Sequence, residues 1–185
     1  MSAWAGAVAL TLLLAAIVVL YNRLVRARVR IDEAWAHVAA QLQRRHDLIP
    51  NLVATVGAYA AHEQQTLEAV TAARVAALSA GSGAPREAAE DALGEAVQRL
   101  LALAESYPQL RADERFAQLQ GELRDTEDRI AFSRGFANDR VRRYQELTGT
   151  FPSVLVARAF RFGPAHPFAV EDAGARQAPA VELER

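Results

Sequence analysis

The chain has 185 residues, 51 % of them hydrophobic and 23 % charged, with a formal charge of −1, a length that suits one folded body. Twenty-one cationic side chains oppose twenty-two anionic ones, so no basic excess draws the chain onto nucleic acid. The absence of cysteine excludes a disulfide framework, a thiolate nucleophile and cysteine-held zinc or iron-sulfur centres. Every cation is Arg, and 40 Ala supply the best helix-forming residue, so the expected class is all-α.

From Ser2 to Asn22 there is no charged side chain, and roughly 20 apolar residues are what a helix needs to cross a hydrocarbon core of about 30 Å. A cleavable secretory signal would instead show a basic start, a shorter apolar stretch and a small-x-small cleavage site. All three are missing here, and bulky or basic residues follow the apolar run. Residues 1–22 therefore read as an uncleaved membrane anchor, with Trp4 and Tyr21 placed as interfacial aromatics. Arg23, Arg26, Arg28 and Arg30 form a basic juxtamembrane segment over residues 23–30. They predict an outside N-terminus and a cytoplasmic body, and they would meet the anionic leaflet. The opposite orientation, an outward-facing envelope protein, is permitted by the lack of cysteine but gains no support from it.

Residues 31–151 carry helical periodicity. Ile31, Trp35, Val38, Leu42, Arg45, Ile49, Leu52, Val56, Tyr59, Glu63, Leu67, Val70, Arg74 and Leu78 recur at a 4,3 spacing, with eleven of the fourteen apolar. This predicts one long seam packed in the coiled-coil or bundle manner. Pro50 interrupts it, since its ring clashes with the His46 carbonyl and removes a donor. Either the helix kinks there, as the unbroken phase favours, or Asp47 caps a new one with Pro50 in its first turn.

The run Ser79 to Pro85 reads as a turn. A helix of about 20 residues follows, carrying Leu93, Val97, Leu100, Leu101, Ala104 and Tyr107 to Pro108. Pro108 to Ala112 is expected to be a short connection, and Asp113 an N-cap. Asp113 opens a helix that gathers Phe116, Leu119, Leu123, Ile130, Ala137, Val141, Tyr144 and Leu147 on one side and ends at Gly149 and Pro152. Short loops between such helices predict an antiparallel, up-and-down four-helix bundle. Residues 152–169 form an amphipathic extension suited to covering the bundle end or touching the membrane, and 170–185 read as disordered.

The stretch Arg44-Arg45-His46-Asp47-Leu48-Ile49-Pro50-Asn51-Leu52-Val53, followed by Ala58-Tyr59-Ala60-Ala61-His62-Glu63, resembles the LemA family of bacterial membrane proteins. Three later segments agree in order and spacing: Ala104 to Leu110, Leu119 to Arg134, and Phe151-Pro152-Ser153. The resemblance runs from Tyr21 to about Phe168. His46 stands where the family usually has Tyr, and Ala137 replaces an aromatic before Asn138, with Gly135 nearby. The resemblance implies a transmembrane helix followed by a four-helix bundle, with no established enzymatic activity or cofactor. Members of the family are also often encoded near membrane-associated partners, zinc metalloproteases of the membrane among them, which bears on context only. The motif positions carried over are Arg45, Asp47, Pro50, Asn51, His62, Glu63, Glu127, Arg134 and Asn138.

Chemical motifs are sparse. His62-Glu63 lacks the second His that a zinc-protease helix needs four residues on, where Thr66 stands. Glu33 and His37 are spaced by four and lack the paired Glu-x-x-His elements of di-iron bundles. Gly81-Ser82-Gly83 lacks the strand and Lys of a phosphate cradle. His37, His46 and His62 are expected on helices as ordinary polar residues, and His166 in the tail. No catalytic, cofactor or metal residue is assigned. Arg45, Glu63, Glu127 and Arg134 are charges on apolar seams, and buried charges persist when paired. They are expected to form interhelical bridges that fix register. The expected role is a membrane-anchored scaffold or adaptor with protein partners or self-association. The alternative is a ligand-binding, metal-binding or catalytic bundle using His62, Glu63, Glu127 and Arg134.

Overall fold

The computed structural model describes residues 2–165, with side chains from Trp4 onward. Those residues form six helices and no strand: α1 (Ser2–Tyr59), α2 (Gln64–Ser79), α3 (Ala84–Ala104), α4 (Pro108–Arg111), α5 (Glu114–Gly149) and α6 (Ser153–Ala159). The all-α class holds. The expected tail, 170–185, and His166 lie outside the described residues.

The 58 residues of α1 form one helix, about 87 Å long at 1.5 Å per residue. It passes through Pro50 without interruption, so Asp47 does not cap a new helix. Near the N-terminus an 18-residue apolar window is long enough to cross a membrane, and none of it is buried. Beyond that window, Leu24, Ile31, Ala34, Val38, Leu42, Ile49, Leu52 and Val56 are all buried.

The expected continuous seam to Leu78 is overturned at Ala60. The helix stops at Tyr59, the chain turns through Ala60 to Glu63, and α2 begins at Gln64. The turn lets α2 double back. Val70 and Ala77 then join Ile49, Leu52, Val56, Leu93, Val97, Leu100 and Leu123 in one core. Burying apolar side chains at about 25 cal/mol per Å² offsets the helical bonds lost at a turn that keeps two backbone bonds of its own. Ala60 N–H bonds to the Val56 carbonyl and Glu63 N–H to the Ala60 carbonyl.

Gly83, with φ of 75°, supplies the left-handed backbone before α3. The expected connection from Pro108 to Ala112 is instead a single helical turn that buries Leu110. Asp113 caps α5 as expected, its carboxylate accepting from the Phe116 N–H at 2.9 Å. Along α1 and α5, Ile31 shares a cluster with Val141 and Tyr144, and Ala34 and Val38 with Ile130 and Ala137. Tyr59 donates to Asp113 at 2.8 Å.

The C-terminal extension seals the body where the apolar window ends. Val156 and Ala157 of α6 pack on Leu24, and the Tyr21 ring meets Phe160 and Phe162 edge-on at 4.9 and 5.6 Å. Phe151, Leu155 and Phe160 remain exposed beside it.

Candidate functional site

A charged cluster interrupts the core at mid-body. Arg45 projects from α1 and is 3 % exposed; its Nη2 donates to the Glu90 carboxylate at 2.5 Å and to the Glu90 backbone carbonyl at 2.9 Å. Its Nη1 donates to Glu127 at 3.1 Å. One guanidinium thereby ties α1 to α3 and α5, which is the planar fork's particular capacity. Glu90 is fully buried and also meets His46 Nε2 at 3.1 Å. Burial pushes the Glu90 carboxyl up, but hydrogen bonds from His46 and Arg45, with their charges, outweigh it and hold it below the ordinary carboxylate value. Among the described residues the second Glu90 oxygen, Oε1, and Arg45 Nε meet no hydrogen-bond partner.

Arg74 joins α2 to the same layer. Its Nε donates to the His46 carbonyl at 2.8 Å, the oxygen that Pro50 deprives of its usual helical donor. Pro50 thus sits inside a helix with its vacated acceptor filled from a neighbouring one.

The remaining sequence-derived positions lie elsewhere. Arg134 pairs with Asp91 at 3.2 Å, and Asn138 is half-buried one turn further along α5. Asp47 accepts from Gln43 on the exposed side of α1, where Asn51 is also exposed. His62 lies in the α1–α2 turn and is exposed, contrary to its expected place on a helix. Glu63 accepts from the Tyr107 hydroxyl at 3.3 Å. Burial and the Glu63 charge raise the Tyr107 phenol above its ordinary value. Arg23, Arg26 and Arg30 are exposed just past the apolar window, and the Arg28 guanidinium lies 5.8 Å from the Tyr144 ring centre.

The expected bridge through Arg45 and Glu127 is present. His62, Glu63, Glu127 and Arg134 are not brought together. The turn end of α1 is level with Asp113, fourteen residues or about 21 Å along α5 from Glu127. Among the described residues no group of three or more His, Asp or Glu is placed to hold a metal ion.

The LemA family model matches residues 34–183, which covers most of the chain. The chain belongs to the LemA family. A search of curated proteins returned no match. Within this LemA-family chain, the motif block from Arg44 to Val53 carries Arg45, which pairs with Glu90 of α3, and Pro50, whose vacated acceptor, the His46 carbonyl, is filled by Arg74 of α2.

Glu90 is the cluster residue that sequence reasoning missed. It lies among Glu87, Asp91 and Glu95 in a stretch that reads as solvated. Its phase was the available signal: Glu90, Leu93, Val97, Leu100 and Ala104 follow one 3,4 stripe, and all five are buried.

Proposed function

We propose that this chain is a single-pass membrane protein whose body is an antiparallel four-helix bundle acting by binding other proteins, as a scaffold or adaptor at the cytoplasmic face. The observation that carries this reading is the continuity of α1. The same helix bears the unburied apolar window and, without a break, the buried residues of the body up to Val56. Such a helix holds the body at a fixed height above the bilayer, whereas a flexible linker would let it roam. The opposed pairings of α1 with α5, Ile31 by Val141 and Tyr59 by Asp113, support the antiparallel arrangement. Arg23, Arg26, Arg28 and Arg30 support the cytoplasmic orientation.

The body offers an apolar furrow on its side, lined by Val53, Leu67, Thr71, Ala72, Val75 and Ala76, with Val75 and Leu78 exposed. Exposed apolar surface of this kind suits a protein partner. A photo-crosslinking residue placed at Val75 in the full chain, in its own cells, tests the reading. It predicts discrete adducts with a membrane-associated protein or a second copy, absent from the same probe at the exposed Arg99 of α3, outside the furrow. A folded, inserted chain that gives the same diffuse background from both positions would remove the binding role.

A further inference from the structure

A groove of about 890 Å³ opens between α1 and α5 where the apolar window of α1 ends, lined by Arg23, Arg26 and Arg30 from α1 and by Arg140, Arg143 and Glu146 from α5. The α1 spacing of three and four residues places its arginines on one stripe. Arg140 and Arg143, one turn apart, line the opposite wall. Five guanidinia thus share one groove with a single carboxylate. Among the described residues none of the five takes part in an ion pair, the groove's own Glu146 included.

Crowding five like charges around one carboxylate costs free energy that an anionic ligand would relieve. Guanidinium forks match phosphate oxygens, bonding them in pairs. Two further features name the kind of phosphate. Val19, from the end of the apolar window, and Leu147 also line the groove, so an apolar wall adjoins the arginines. Tyr21, packed on Phe160 at the same level, stands where interfacial aromatics sit.

We infer that this groove binds the phosphate group of an anionic phospholipid, the α1 and α5 arginines gripping the headgroup while Val19 and Leu147 meet the start of its acyl chains. The inference rests on the membrane-anchored reading and deepens it. It differs from a diffuse basic film over the leaflet, because a groove requires the arginines of α5, more than a hundred residues away in sequence.

The test uses the full chain in phosphatidylcholine nanodiscs, with spin-labelled phosphatidylglycerol and spin-labelled phosphatidylcholine as probes and thermal melting as the check of folding. The expected result is a saturable preference for phosphatidylglycerol that falls about tenfold in the Arg140→Gln, Arg143→Gln double variant. Arg28→Gln, outside the groove, lowers the preference by clearly less than the α5 pair does. A diffuse film predicts the reverse order, with Arg28→Gln costing at least as much as the α5 pair, and that outcome overturns the inference. Calorimetry with inorganic phosphate alone forms the second arm. Tight phosphate binding without a phosphatidylglycerol preference would assign the groove to a soluble phosphate and overturn the lipid source. A chain that fails to enter the nanodiscs defeats the anchored reading itself; one that enters and shows no preference defeats only this inference.

Discussion

Arg74 of α2 donates from Nε to the His46 carbonyl at 2.8 Å, and this is the acceptor that Pro50 leaves empty four residues on. The proline that should break α1 is thereby accommodated by a residue 24 positions away in sequence. Removing the donor leaves a partly buried carbonyl unsatisfied, at about 1–3 kcal/mol. Arg74→Met, which keeps the apolar stem, is expected to cost that much in thermal unfolding of the full chain in detergent. In a Pro50→Ala background the new N–H takes over the carbonyl, so the same substitution costs clearly less. Equal costs in both backgrounds would show that Arg74 acts through packing alone.

Glu90 is expected to be the most sensitive carboxylate of the body. Breaking a buried ion pair from one side costs about 3–5 kcal/mol, while replacing both partners by apolar residues is often neutral. Glu90→Leu alone should therefore destabilise strongly, and Arg45→Met with Glu90→Leu should recover most of the loss. Chemical denaturation of the two variants measures this. A double variant no more stable than Glu90→Leu alone would mean that the ions contribute more than register.

The same carboxylate sets an acid limit. Its folded-state pKa lies below the ordinary value of 4.5, so its stabilising contribution is fully present above about pH 4.5. That contribution is lost as the pH falls from there through the depressed value. Melting temperature plotted against pH should fall below that point in the parent chain. The slope should be shallower in Glu90→Gln, which has no proton to take up.

Asp113 anchors the start of α5 through its bond from Phe116 N–H and accepts from Tyr59. Both bonds hold its carboxyl below the ordinary value, the backbone bond most, and the Tyr59 phenol is raised in turn, chiefly by that hydrogen bond. Asp113→Ala is expected to speed amide hydrogen exchange over the first turn of α5, while Asp113→Asn, a competent cap, protects it. Similar exchange in both variants would remove the capping role.

Local chemistry made much of this fold legible. The Asp113 cap and the glycine-proline turn before α3 are decided within a few residues of themselves, and the apolar stripe of α5 follows from helical period alone. The break at Ala60 was hidden because its cause is tertiary. No proline marks it, Gly57 sits inside the last turn of α1 rather than after it, and the 4,3 phase runs straight through Tyr59 and Glu63, yet the core formed by Val70 and Ala77 wins over local helix propensity. The site was half legible for the same reason. Arg45 and Glu127 stand out as charges on apolar seams, whereas Glu90 hides among acidic neighbours and needs the fold to show which of them faces inward.

The lack of cysteine makes the most direct test of the account clean. Single cysteines at Ser2, Leu12 and Asn51 are labelled with a membrane-impermeant maleimide in intact cells and in inverted membrane vesicles. A chain anchored with its body at the inner face predicts that Ser2→Cys reacts only from outside, Leu12→Cys from neither side, and Asn51→Cys only from the cytoplasmic side. Reaction of Leu12→Cys in both preparations, or of Ser2→Cys and Asn51→Cys from the same side, would contradict an anchored chain with its body at the inner face.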